Sequence, residues 1–291
     1  MNIALLGTGL MGKPMALQLQ QSGHTVFAWN RTASKLAPLQ AAGIRLATSP
    51  AEAIAAADVI VLMLTNLEAI ETVLLTAECE TCLRDRTVIQ MGTIAPAESQ
   101  QLAAQLNAVG SDYLEAPVLG SIPQAQSGAL ILMVGASPTL FERWRPILQC
   151  FGPDPKLLGP VGAGATVKLA MNQLIGTLTA AFAMSLAIVQ RAEIDPAAFM
   201  EIVRDSALYA PTFDKKLQRL SDRNFANPNF PTKHLLKDLN LFVQAAQAQG
   251  VDARTAAAVS EVAQQAIALG FADSDYSALF AAINPLTDSP H

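Results

Sequence analysis

Three groups of residues in this 291-residue chain have the types and spacing to do chemistry. The first is Gly7-Thr8-Gly9-Leu10-Met11-Gly12, a GxGxxG run directly after the apolar stretch Ile3–Leu6 and ahead of a helical pattern. In that context each glycine has its own task. Gly7 allows a tight turn, Gly9 lets the backbone approach a pyrophosphate, and Gly12 lets the helix pack on the strand, with the phosphates at the positive helix end. The second group is Asn30-Arg31-Thr32, roughly 20 residues further on, where an Asp or Glu would hold the ribose hydroxyls of NAD. No carboxylate stands there. A guanidinium beside a hydroxyl suits a 2′-phosphate and so NADPH or NADP+, although such an arginine also serves to stack on adenine or to solvate a loop. Met63 and Leu64, closing an apolar run, are expected to line the same nucleotide site.

The third group is Lys168 with Asn172. Lys168 ends a GxGxxxK stretch that starts at Gly162, and Asn172 follows one helical turn later on the same face. A lysine partly removed from water near a cationic nicotinamide gives up its proton more readily, which suits a general acid for a carbonyl oxygen whose carbon receives hydride. Asn172 would hold the ammonium or the substrate oxygen. Taken alone, a lysine on an apolar helix also reads as a snorkelling surface residue. Two other mechanisms lack their residues. None of Tyr113, Tyr209 or Tyr276 has a lysine four positions on, which excludes a Tyr-x-x-x-Lys dehydrogenase. Among the histidines, His24 precedes the second strand, His291 is terminal, and His234 sits in a setting that reads as structural.

The elements that must position these residues follow from hydrophobic patterning. Strands are expected at Ile3–Leu6, Thr25–Trp29, Val59–Leu64, Thr87–Met91, Tyr113–Ala116 and Leu130–Val134, alternating with helices such as Met11–Gln21 and Pro50–Ala57, the latter capped by Ser49. This predicts an α/β fold: a Rossmann-type doubly wound parallel sheet over residues 1–161, followed by an all-α domain over 162–291 that begins with a long interdomain helix near Ala165. Beyond Gly162 no strand-like alternation remains, and helix breaks are expected at Asp195-Pro196, Ala210-Pro211, Asn224–Pro231 and Gly250.

Composition narrows the function classes. The net charge of −5, without any Lys/Arg run, argues against a nucleic-acid partner. Leu169–Val189 approaches the ~20 apolar residues of a membrane span, but Asn172, Gln173, Thr177, Thr179 and Ser185 interrupt it, and burial in a soluble core or subunit interface is the expectation. MNIALLG lacks a basic region ahead of its apolar stretch, so it is read as a first strand, with the mature protein beginning here. Cys79, Cys82 and Cys150 cannot complete a disulfide framework and suit a reducing cytoplasm. The Cys79–Cys82 pair has no second ligand pair, so no metal site is expected.

GTGLMGKPMA (Gly7–Ala16) with the Asn30–Thr32 turn, QMGTIAP (Gln90–Pro96), EAPVLGS (Glu115–Ser121), GAGATVKLAMN (Gly162–Asn172) and FPTKHLLKDL (Phe230–Leu239) together resemble the β-hydroxyacid dehydrogenase family. Within it the segments look closest to the NADPH-dependent glyoxylate/succinic semialdehyde reductases. The resemblance implies Thr93 near the nicotinamide, Lys168 as the catalytic residue with Asn172 assisting, Lys237 closing over the cofactor, and Phe230 and Asp238 lining the same cleft. It also implies a substrate-carboxylate turn at Leu119, Gly120 and Ser121, where this chain departs from the family by carrying Leu119 in place of a usual serine. The implied function is reduction of small carboxylate-bearing aldehydes, glyoxylate and succinic semialdehyde, by a homodimer or homotetramer. A 3-hydroxyisobutyrate or tartronate semialdehyde oxidoreductase is the alternative, and a non-catalytic NADPH-binding module a remoter one. Imine reductases share the fold but generally lack the lysine seen at Lys168.

Overall fold

The computed structural model describes residues 1–286, and His291 lies outside the described residues. The chain divides into two compact units, Met1–Lys168 and Leu169–His291. In the first, β1 (Asn2–Leu6), β2 (Thr25–Trp29), β3 (Arg45–Leu46), β4 (Val59–Leu62), β5 (Thr87–Gln90), β6 (Asp112–Glu115), β7 (Val118–Leu119), β8 (Ile131–Gly135) and β9 (Lys156–Gly159) form one sheet. Its order is β3-β2-β1-β4-β5-β6-β8-β7, with β9 paired to β8. β1 to β6 run parallel, and β8 returns antiparallel to β6 and β7. The order 3-2-1-4-5-6 places a switch point between β1 and β4, where open α/β sheets bind ligands.

Burial explains why these stretches are strands. β4 and β5 are buried along their whole length, as strands covered by helices on both faces must be. Side chains alternate between the two faces: Ile3, Leu5, Val59 and Val61 join one apolar core, and Ala4, Leu6, Ile60 and Leu62 the other. Three strands go beyond the expected set. Arg45–Leu46 and Val118–Leu119 have two residues each, and Lys156–Gly159 is a half-exposed edge strand flanked by Pro155 and Pro160, so none shows a buried apolar run. The Ser49 cap is present, its side chain accepting from Glu52 N.

The second unit is helical. The helix Ala163–Arg191 has 29 residues, its first six in the first unit and the rest in the second, and Pro196 and Pro211 each open a helix, as their fixed φ favours. It starts two residues before the expected Ala165. By length and composition it is apolar enough to cross a bilayer, with 44% of its most apolar window buried. Phe182 stacks on Phe213 at 4.7 Å between ring centroids in one core cluster, while Leu235, Leu239, Val259 and Leu279 belong to another. A buried ion pair, Lys216 Nζ to Asp275 Oδ1 at 2.6 Å, fastens the Pro211–Ser221 helix to the segment before Tyr276, and the ammonium lies 3.9 Å from the Tyr276 ring centre.

Candidate active site

In the first unit the C-terminal ends of β1, β2 and β4 open on a cleft of about 950 Å³. Gly7, Gly9, Asn30, Arg31, Thr32, Met63 and Leu64 line it. The backbone there is crowded by design of the sequence. Gly7 has φ +100°, and a Cβ on it would overlap Met63 O; a Cβ on Gly12 would overlap Gly7 O, and one on Gly92 would overlap Leu64 O. At Gly9, in contrast, a Cβ would meet nothing of the protein within 4 Å. The space in front of Gly9 is open and gives onto the cleft.

Three further features fit a dinucleotide. Thr8 is buried and its Oγ1 has no hydrogen-bond partner. The Gly12–Gln21 helix starts at Met11 without a side-chain cap; Lys13 N donates to Gly9 O at 3.1 Å and Pro14 has no N–H, so the Gly12 N–H and the positive helix end are what the first turn offers to phosphate oxygens. Leu10 is 46% exposed on the same loop. Asn30 lines the cleft, where its Oδ1 accepts from Thr8 N at 3.1 Å and its Nδ2 donates to Thr32 O at 3.0 Å, tying the glycine loop to the Arg31 turn. Arg31 and Thr32 are exposed at the cleft margin. Sequence reasoning missed Lys35, which lines the same cleft one short 3₁₀ turn later, and Trp29 at the end of β2. The spacing Arg31 to Lys35 was the available signal for the second cation.

Thr93 follows Gly92 beyond the end of β5, and like Gly92 it belongs to the loop that approaches Leu64. Leu119 is half-buried in β7, paired with Ile131 of β8. Gly120 has φ +142°, and a Cβ there would press on Leu130 and Gln124. The two donors expected of Ser121 are already engaged: Ser121 N and Ser121 Oγ both donate to Gln124 Oε1, at 3.0 Å and 2.6 Å. Sequence reasoning missed Gln124, although Ser121-x-x-Gln124 has the spacing of a capping box, the signal that announces it.

Lys168 and Asn172 stand one turn apart on the Ala163–Arg191 helix and are 8% and 2% exposed, so the snorkelling alternative for Lys168 does not describe its side chain. In the helical unit Asn172 Nδ2 donates to Asp238 Oδ2 at 2.6 Å, and Lys237 Nζ pairs with Asp238 Oδ1 at 2.8 Å. The close approach of Gly176 to Leu235 and Leu239 brings the Thr232–Ala248 helix near enough for that bond. Asp238 is thus committed to orienting Asn172 and Lys237. Phe230 packs edge-on against Tyr276, at 5.7 Å between ring centroids. His234 is held below the usual imidazole range, chiefly by burial and then by Lys237, which disfavours its charged form.

Two family descriptions match the chain. Residues 2–162 match the NAD binding domain of 6-phosphogluconate dehydrogenase, and residues 162–283 match the NAD-binding domain of NADP-dependent 3-hydroxyisobutyrate dehydrogenase. The chain belongs to the β-hydroxyacid dehydrogenase family. Among its relatives, glyoxylate/succinic semialdehyde reductase 2 of Arabidopsis thaliana is 32% identical, over 97% of this chain and 79% of that one. The 2-hydroxy-3-oxopropionate reductase of Escherichia coli is 31% identical over 97% of both chains. A solved 3-hydroxyisobutyrate dehydrogenase from Salmonella typhimurium superposes with a TM-score of 0.87 at 26% identity, covering 96% of this chain and 98% of that one. This β-hydroxyacid dehydrogenase is therefore an oxidoreductase that uses a nicotinamide dinucleotide and acts on CH–OH groups, built from a Rossmann-type domain and a helical C-terminal domain.

Proposed function

We propose that the enzyme uses NADPH to reduce small carboxylate-bearing aldehydes, glyoxylate and succinic semialdehyde first among them, with Lys168 as the general acid. The observation that carries the reading is the pairing of two cations beyond β2, Arg31 and Lys35, with no carboxylate in the Asn30–Thr32 turn although Glu68 and Glu78 line the cleft elsewhere, with a buried lysine on a helix that also carries Asn172. Arg31 and Lys35 would neutralise a 2′-phosphate, Thr32 would donate to it, and the bare helix start at Met11 would take the pyrophosphate. A nicotinamide held there would supply the hydride. Lys168 gives a proton to the carbonyl oxygen as its carbon is reduced, and Asn172, oriented by Asp238, steadies the lysine or the substrate oxygen. Gly120 and Ser121 offer N–H and hydroxyl donors to the substrate carboxylate. The relatives named above act, by their descriptions, on such semialdehydes and oxo acids, which supports this substrate class. A tartronate semialdehyde or 3-hydroxyisobutyrate oxidoreductase is the second reading, favoured by the other two relatives.

The domain division at 161/162, a cytoplasmic setting without nucleic-acid or membrane partners, and assembly as a homodimer or homotetramer belong to the same proposal. Leu174, Leu178, Met184 and Ile188 are 37–70% exposed and, at ~100° per residue, fall within one arc of about 120° on the long helix, a face that a second copy would cover. The deciding experiment follows oxidation of NADPH and of NADH with glyoxylate, succinic semialdehyde, tartronate semialdehyde and methylmalonate semialdehyde. Turnover of none of them, or a preference for NADH, overturns the proposal.

A further inference from the structure

Glu115 ends β6 and is 1% exposed. Its Oε1 accepts from Gly162 N at 2.8 Å and from Ala165 N at 3.1 Å. Its Oε2 accepts from Ser99 Oγ, and the Tyr113 hydroxyl lies 2.7 Å from that same Ser99 oxygen. Once Ser99 donates to Glu115, its oxygen is left to accept from Tyr113, so every proton in the buried chain Tyr113–Ser99–Glu115 has a taker and all of them point to a carboxylate. Burial pushes the Glu115 carboxyl up, while the Ser99 hydroxyl and the backbone N–H groups hold it down. Two glycines make room for it: a Cβ on Gly135 would overlap Glu115, and one on Gly164 would crowd it at 3.1 Å.

The N–H groups that Glu115 holds belong to the start of the Ala163–Arg191 helix. A helix start is normally satisfied by a side chain within the preceding few residues. Here the acceptor comes from a sheet strand 47 to 50 residues away, so the first turn is fixed to the sheet and not only to its own loop. Lys168 lies three residues beyond Ala165, ~4.5 Å along the axis. A start displaced by one residue would move Lys168 by ~1.5 Å and turn it by ~100°, and a misplacement of ~1 Å at a reacting group costs about 100-fold in rate.

We infer that Glu115 is a positioning residue for the reduction: the buried Tyr113–Ser99–Glu115 chain seats the first turn of the long helix and thereby sets where the Lys168 ammonium stands. This rests on the reading of Lys168 as proton donor. In the sequence Glu115 shows only as an acid at the buried end of β6, opening the EAPVLGS segment.

Glu115→Asp, Glu115→Gln and Lys168→Ala, singly and as Glu115→Asp/Lys168→Ala, test it by steady-state kinetics and NADPH titration, with circular dichroism to confirm folding. Glu115→Asp withdraws the carboxylate by one methylene, so it cannot reach both the helix start and Ser99. The expected result is a fall in kcat of at least about tenfold, with aldehyde KM and NADPH Kd within about twofold of wild type. Glu115→Gln keeps the reach and an acceptor oxygen and should recover most of kcat. In the Lys168→Ala background Glu115→Asp should add nothing, since the two losses run through one group. A folded Glu115→Asp enzyme with wild-type kcat, a loss undiminished in the Lys168→Ala background, or a parallel loss of NADPH affinity overturns the inference. Lys168→Ala alone is the separate arm: wild-type kcat there overturns the reading of Lys168 itself and the inference with it. Should Glu115→Asp not fold, Ser99→Ala removes one hydroxyl from the same chain and is held to the same comparisons, with a smaller fall in kcat expected.

Discussion

Gly9→Ala and Gly12→Ala differ by one methyl group each and should fail in opposite ways. A Cβ on Gly9 meets no protein atom within 4 Å, so the substitution should leave unfolding free energy within about 0.5 kcal/mol of wild type. It fills the space through which a pyrophosphate would reach the loop backbone. Losing one hydrogen bond to a charged phosphate costs ~1.5–3 kcal/mol, which is a rise of about 10- to 150-fold in the NADPH Kd. A Cβ on Gly12 overlaps the Gly7 carbonyl oxygen, a backbone atom that no rotamer change can move aside. Overpacking of that kind costs ~1–3 kcal/mol, partly offset by the better helix propensity of alanine. At ~2–4 °C per kcal/mol for a domain of this size, Tm should fall measurably for Gly12→Ala and not for Gly9→Ala. Thermal unfolding without cofactor reads the first quantity. Quenching of Trp29, which lines the cleft, reads the second. An unchanged NADPH Kd in Gly9→Ala, or a drop in its Tm equal to that of Gly12→Ala, refutes the assignment of this loop.

Arg31→Ala should weaken NADPH by ~1.5–3 kcal/mol and NADH far less, and Lys35→Ala should do the same more mildly; equal losses for both cofactors would show that these cations only support the loop. Lys168→Ala should lower kcat by ~10²–10⁴-fold with little change in NADPH affinity, and Lys168→Arg, which keeps the charge but holds its proton at neutral pH, should be nearly as poor; an active arginine variant would make the residue an electrostatic anchor. Leu119→Ser should raise the ratio of glyoxylate to succinic semialdehyde turnover, because the shorter acid depends more on each polar contact; an unchanged ratio means that this side chain faces away from substrate. His24 and His234 are both held below the usual value of 6.5 by burial, so just below that pH the folded chain binds fewer protons than the unfolded one and stability falls as pH is lowered. Glu115, raised by burial, works in the opposite sense at lower pH. The wild-type Tm should therefore drop more between about pH 7.5 and 5.5 than that of His24→Gln/His234→Gln, and parallel slopes would rule the histidines out.

What was legible in the sequence is what local spacing controls. The alternation of apolar runs gave six strands to within two residues at each end, and the GxGxxG context placed Gly7, Gly9 and Gly12 at the end of β1. Lys168 and Asn172 could be paired because helical periodicity alone brings them together. What escaped depends on contacts distant along the chain. Glu115 meets the helix start 47 and 50 residues later, and Asp238 meets Asn172 across 66 residues. The bonds by which Asn30 ties Thr8 N to Thr32 O are likewise not given by spacing. The β9 strand was missed because an edge strand with alternate residues exposed carries little apolar signal.

The Gln124 side chain gives the Ser121 turn a property that an open pair of donors would lack. Both donors already share one acceptor, Gln124 Oε1, carried by a helix of six residues. An incoming molecule gains only the difference between its own bonds and those it displaces. A neutral aldehyde, whose oxygen accepts about as well as an amide oxygen, gains almost nothing there, whereas a carboxylate forms bonds roughly twice as strong. If the turn takes substrate as proposed, this competition would bias it toward anions, with the protein itself supplying the rival.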